Sequence, residues 1–122
     1  MGYDVLIGSN NFNYTYNVSK LFYDHFPEIE GCRGGLYRLD GLKGCEAVPV
    51  LANALYEIDK TRLKLWKDGA KGETDFCNKY DPENGWGSTV GAILFLSLIM
   101  GECAMNPDEV ITVSWRWLGD AQ

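Results

Sequence analysis

The feature that most constrains this chain is a run of apolar residues at positions 90–100, VGAILFLSLIM. A helix over this run spans about 16 Å, which is too short to cross a bilayer. A helix that is apolar on nearly every side belongs at the centre of a core. Ser88 is suited to begin it, and Asn106 with Pro107 to end it. The run therefore predicts a central helix on which a small fold is packed.

Alternating apolar residues predict strands near both ends of the chain. Residues 3–7 (YDVLI) predict a first strand, and residues 110–117 predict the last. Between them, aromatic residues alternate with Asn and Thr over residues 11–18. This alternation favours a second strand in a hairpin with the first, while the several asparagines favour an extended loop as the competing interpretation.

Helical spacing marks two further segments. Ser19 can cap a short helix that ends before Pro27. Residues 46–66 predict a long helix that begins near Ala47, because Pro49 is tolerated only in a first turn. The polar residues 69–87 are predicted to form a surface excursion.

These elements predict an α+β fold in a single globular domain, residues 1–122. We expect a small antiparallel sheet that joins the N- and C-terminal strands and packs against two or three helices. A chain of 122 residues can bury a sufficient core without metals or cross-links.

The charge of the chain argues against a nucleic-acid or membrane partner. It has 17 acidic and 11 basic residues, a net charge of −6. Phosphate neutralisation and binding to anionic lipid both need a basic surface. Residues 31–72 hold eight bases and five acids, whereas residues 73–122 hold two bases and eight acids. The charges can therefore pair within the fold, or an acidic face can meet a basic partner.

The four cysteines show no C-x-x-C pair, so zinc-knuckle and thioredoxin-like sites are not indicated. The sequence indicates no other metal site and no cofactor. The first ten residues lack the basic start and apolar run of a secretory leader. We therefore expect reduced thiols and a cytoplasmic location.

Two aromatic features are candidates for recognition. Asn13, Tyr14, Tyr16 and Asn17 combine large contact area with adaptable amides, as paratopes do. The alternative is an aromatic inner face and a solvated outer face of one strand. Trp86 lies between two glycines before the apolar helix, where it can stack on a partner or fill the core.

Charged residues form two further candidate binding sites. Asp81 and Glu83 lie in the polar excursion and can steer a basic partner, or they belong to a solvated loop. The glycine-rich residues 31–44 carry Arg33, Arg38 and Lys43, and such a loop before a helix can bind an anion. It lacks the Walker spacing, and a flexible surface turn is the alternative.

His25 is the single histidine and the main candidate for acid–base chemistry. Asp24 precedes it, but adjacent residues on a helix point in different directions. A nucleophilic pair with a cysteine requires tertiary contact with one of Cys32, Cys45, Cys77 and Cys103. No catalytic residue is assigned on this basis.

Residues 12–17 (FNYTYN), 21–24 (LFYD) and 84–88 (NGWGS), with the apolar helix that follows, resemble small accessory proteins carried by bacteriophages and prophages. The resemblance implies a context rather than an activity. Short phage accessory proteins often bind and block a host protein, including defence systems such as CRISPR. It carries over no catalytic residues.

Three hypotheses follow. The first is a non-enzymatic, phage-type protein that binds and inhibits a bacterial host protein or complex through the aromatic–amide surface and Trp86; a homodimer is the other association left open. The second is a small-ligand binder, for a nucleotide or sugar, at Arg33, Arg38 and Trp86. The third is a small enzyme that uses His25 with a cysteine or carboxylate. We expect the first.

Overall fold

The described part of the chain has strands at both ends and helices between them. The computed structural model describes residues 2–14, 19–31, 34–68, 72–81 and 88–116. The elements follow in this order: β1 (Gly2–Ile7), β2 (Asn10–Tyr14), α1 (Ser19–His25), a 3₁₀ helix (Gly35–Leu39), α2 (Gly44–Asp68), α3 (Gly72–Tyr80), α4 (Thr89–Met105) and β3 (Ile111–Arg116). The predicted α+β class is confirmed.

The sheet joins the two ends of the described chain, as predicted. Its strand order is β2-β1-β3, and both pairings are antiparallel. In the register, Val5 lies between Phe12 of β2 and Val113 of β3. Alternate residues of a strand share a face, and the face that carries Val5 and Ile7 is buried. Residues 15–18, the rest of the predicted second strand, lie outside the described residues.

Helix α2 begins about one turn earlier than the sequence predicts, at Gly44, and Pro49 lies inside it. Contacts from outside the helix hold this first turn. The N–H of Gly44 donates to the carbonyl of Glu109 at 2.9 Å, and the N–H of Cys45 donates to that of Pro107 at 3.0 Å. Because proline removes a hydrogen bond inside the helix, these tertiary bonds stabilise the extra turn.

The prediction of a surface excursion over residues 69–87 was wrong for residues 72–80, which form α3. Phe76 and Tyr80 are buried, and their rings contact each other with centroids 5.1 Å apart. Two aromatic residues one turn apart give this polar segment a narrow apolar stripe. The stripe packs against the core, and α3 contacts α2 and α4.

The described residues of segment 31–44 are anchored rather than a flexible surface turn. Leu36 and Leu39 of the 3₁₀ helix are fully buried. Asp40 then accepts a hydrogen bond from the backbone N–H of Val113 at 2.8 Å. The segment therefore closes one edge of β3 and ties the sheet to the start of α2.

The prediction that the apolar helix lies at the centre of the core was wrong for one of its sides. One side of α4 is buried, with Ala92, Leu96, Ile99 and Cys103 on it, and α4 packs along α2. Its opposite side is exposed within the described structure.

Candidate functional site

An apolar stripe runs along the exposed side of α4. Val90, Leu94, Leu98 and Met105 lie on it, and the exposed fractions of Leu94 and Met105 are 64% and 78%. Spacings of four and seven residues place these side chains on one face of a helix. Gly101 lies on the same face with open space around it. We call these five residues the α4 stripe.

The charged side chains of the segment that carries the α4 stripe lie at and just after the C-terminal end of α4. Residues 88–115 contain three acids, Glu102, Asp108 and Glu109, and no Lys or Arg. Asp108 and Glu109 are exposed, and Glu102 is half-buried. An uncharged apolar centre beside a charged margin is the usual arrangement of a protein interface.

A second feature is a cavity of about 360 Å³ between the end of α1, the 3₁₀ helix and α2. Its walls carry both polar and apolar side chains. They are those of His25, Phe26, Pro27, Arg38, Pro49, Val50 and Asn53. We call it the α1–α2 cavity.

Hydrogen bonds to the backbone orient the two basic side chains of the α1–α2 cavity. Nδ1 of His25 lies 2.8 Å from the carbonyl oxygen of Leu21. A carbonyl can only accept, so Nδ1 carries the proton and Nε2 remains for another partner. Nη1 of Arg38 donates to the carbonyl of Pro27 at 3.2 Å. Among the described residues, neither side chain forms an ion pair.

Only part of the predicted aromatic–amide surface falls within the described structure. Asn13 is exposed on β2, and its Nδ2 donates to Oδ1 of Asp4 at 2.8 Å. The backbone of Tyr14 pairs with that of Tyr3, but the Tyr14 side chain lies outside the described residues. Tyr16 and Asn17 lie outside them as well. The joint surface therefore stays a prediction.

The other predicted site residues that the structure describes, Arg38, Lys43 and Asp81, do not share one site. Asp81 accepts hydrogen bonds from Thr89 at the start of α4. Lys43 is exposed, its backbone N–H donates to Oε1 of Glu46, and it does not line the α1–α2 cavity. Arg38 does line that cavity. Arg33, Glu83 and Trp86 lie outside the described residues.

The described cysteines give no support to a Cys–His site. Cys45 is exposed, Cys77 is half-buried and Cys103 is buried. None of them lines the α1–α2 cavity with His25, and Cys32 lies outside the described residues. Burial, and to a lesser extent the charge of Glu102, raises the pKa of Cys103 to about 11. That thiol is therefore protonated at neutral pH and is a poor nucleophile.

The described residues form neither a metal centre nor a membrane span. No group of three or more His, Cys, Asp or Glu side chains there could hold a metal ion. No helix in those ranges is both long enough and apolar enough to cross a membrane.

Sequence reasoning missed both the α4 stripe and the α1–α2 cavity. A signal for the stripe was present, because apolar residues at 90–100 fill more positions than one buried helix face requires. The α1–α2 cavity gave no such signal, since His25, Arg38 and Asn53 are far apart in the chain.

Comparison with known proteins adds no assignment. No protein-family model matches the chain. Neither the curated proteins nor the solved structures contain a match. The proposed function therefore rests on the surface features of the molecule.

Proposed function

We propose that this chain is an interaction protein that binds a bacterial protein through the α4 stripe. The partner surface has an apolar patch with basic residues beside it. The observation that carries this proposal is the exposure of Val90, Leu94, Leu98 and Met105 on one face of a regular helix. An exposed apolar patch of a few hundred Å² is often functional.

The size of the stripe sets how much of the binding energy it can supply. A helix of 17 residues is about 25 Å long. One face about 10 Å wide then offers about 250 Å², or about 6 kcal/mol at 25 cal/mol per Å². Association costs a comparable amount. The stripe can therefore anchor a complex, but contacts at its acidic margin must contribute as well.

Charge favours a different protein over a second copy of the chain. Two copies that each carry a net charge of −6 repel each other. Glu102, Asp108 and Glu109 instead favour Lys and Arg beside the apolar patch of the partner. A basic groove that normally binds nucleic acid has this chemistry.

The resemblance to phage and prophage accessory proteins supports the class of partner. We propose that the partner is a host protein or complex, such as a CRISPR effector, and that binding inhibits it by occupying a basic surface. An inhibitor of this kind needs no catalytic group.

Site-specific photo-crosslinking tests the proposal directly. Benzoylphenylalanine is placed at Leu94 on the stripe and, in a matched control, at Leu63, an exposed leucine of α2. Both proteins are expressed in bacteria and irradiated. We expect a protein that crosslinks from position 94 and not from position 63, identified by mass spectrometry.

Affinity for the purified partner then tests the surface. Leu94→Ser with Leu98→Ser should weaken binding at least about tenfold, which is 1.4 kcal/mol. Leu63→Ser should leave it unchanged. Equal weakening by both changes would contradict the proposal. So would a stable dimer in sedimentation equilibrium that the stripe substitutions dissociate, since a second copy would then occupy the stripe.

A further inference from the structure

We propose that the α1–α2 cavity binds a small monocarboxylate that also has an apolar body and a hydrogen-bond donor. No residue of α4 lines this cavity. The inference is therefore independent of the interaction proposed for the α4 stripe, and each can fail alone.

The charge of the cavity selects an anion with a single negative charge. Among the described residues, Arg38 is the only permanently charged side chain on its walls, and no described carboxylate lines it. The bond from Nη1 to Pro27 leaves other guanidinium N–H groups for a ligand. A guanidinium matches a carboxylate with two parallel hydrogen bonds. A dianionic phosphate ester would leave one charge unneutralised in a chain of net charge −6.

His25 supplies the second point of recognition. Its Nδ1–H is directed to the carbonyl of Leu21, so Nε2 of the neutral ring is a hydrogen-bond acceptor. A ligand N–H or O–H can donate to it. Asn53, exposed on α2, adds an amide that can donate or accept. A ligand that satisfies these polar groups therefore carries both a carboxylate and an uncharged hydrogen-bond donor.

The remaining walls are apolar and favour a ligand with an apolar part. They consist of Phe26, Pro27, Pro49 and Val50. Proline rings lose little conformational freedom when a ligand binds, so they form a pre-organised apolar wall. A volume of about 360 Å³ is at the lower end of ligand pockets, enough for one aromatic ring with a short chain.

Hippurate has these three features and is the probe. Three related compounds test the negative charge, the N–H donor and the type of anion. Hippuramide lacks the negative charge, 3-benzoylpropionate replaces the N–H by a methylene, and phenyl phosphate carries a phosphate monoester. Binding to the full chain is followed by amide shifts in ¹H–¹⁵N NMR spectra, with probe up to about 10 mM. We expect hippurate to shift the amides of His25, Val50 and Asn53.

Two substitutions assign the interactions. Arg38→Met keeps an apolar stem and should weaken hippurate at least about tenfold. Arg62→Met is the matched control, because Arg62 pairs with Asp59 on α2 and does not line the cavity. His25→Phe should abolish the preference for hippurate over 3-benzoylpropionate. NMR spectra show whether each variant is folded.

The affinities of the wild-type protein for the four probes test the proposed ligand class even if Arg38→Met does not fold. Hippuramide that binds as tightly as hippurate would overturn it, and so would phenyl phosphate that binds more tightly. Absence of shifts at the cavity with every probe, or hippurate affinity that falls equally with Arg62→Met, would also overturn it.

Discussion

Asp81 and Thr89 are joined by two hydrogen bonds to one carboxylate oxygen. Oδ1 of Asp81 accepts from the backbone N–H of Thr89 at 2.7 Å and from its Oγ1 hydroxyl at 2.6 Å. Thr89 is fully buried at the first position of α4, and Asp81 directly follows α3. The sequence suggested that Asp81 steers a partner, but in the structure Asp81 links the end of α3 to the beginning of α4. Its negative charge lies at the positive end of the α4 dipole.

Removing this carboxylate should destabilise the fold. Asp81→Ala removes the acceptor of the buried Thr89 N–H and leaves the Thr89 hydroxyl with only the more distant carbonyl of Cys77, at 3.3 Å. We therefore expect the free energy of unfolding to fall by about 1–3 kcal/mol. Asp59→Ala is the control, because that exposed acid pairs with Arg62 on the surface, and its loss should cost less than about 1 kcal/mol. Urea denaturation measures both. Equal losses would contradict the role assigned to Asp81.

Two glycines should respond to alanine in opposite directions. A Cβ at Gly44 would collide with the backbone carbonyl oxygens of Asn106 and Cys103, whereas a Cβ at Gly101 meets nothing within 4 Å. Backbone atoms cannot turn aside, so Gly44→Ala should cost about 1–3 kcal/mol. Gly101→Ala should stabilise α4 by about 0.5–1 kcal/mol. Thermal and urea unfolding of the two variants would show opposite shifts.

The stability of the protein should decline at alkaline pH because of Tyr80. Its hydroxyl donates to Oδ2 of Asp24 at 2.8 Å. Burial, and then the hydrogen bond to Asp24 and the charge of Asp24, raises the pKa of Tyr80 well above its ordinary value of 10.0. The unfolded chain thus loses this proton at a lower pH than the folded one. The free energy of unfolding is therefore unaffected below about pH 9 and falls as the pH rises above about 10.

Tyr80→Phe isolates this effect. The variant loses the hydrogen bond at neutral pH, but its free energy of unfolding should fall less steeply than that of the wild type above about pH 10. Tyr56→Phe, at an exposed tyrosine, controls for the loss of one hydroxyl. Parallel pH profiles of the wild type and Tyr80→Phe would contradict the prediction.

Cysteine labelling should separate the exposed thiol from the buried one. Native protein treated with iodoacetamide near pH 8 should be modified at Cys45, which is exposed, and protected at Cys103, which is buried and has a raised pKa. Peptide mass spectrometry locates the label. Denatured protein is the control and should be labelled at both positions. Rapid labelling of Cys103 in the native state would contradict its assigned burial.

The sequence by itself determined the elements that depend on local pattern. Alternation at residues 3–7 and 110–117 identified the strands that pair in the sheet. Spacing of three and four residues identified α2, and Ser88 identified the beginning of α4. These features are readable because the period of the apolar residues reflects the geometry of the backbone.

Only the tertiary structure decided what covers each face and which distant residues meet. Period alone could not show that Leu96 is buried while Leu94 and Leu98 remain exposed, because a helix that is apolar all round has no preferred side. Nor could spacing bring His25, Arg38 and Asn53 to one cavity. Their proximity depends on how α1, the 3₁₀ helix and α2 pack, which is set by contacts between segments far apart in the chain.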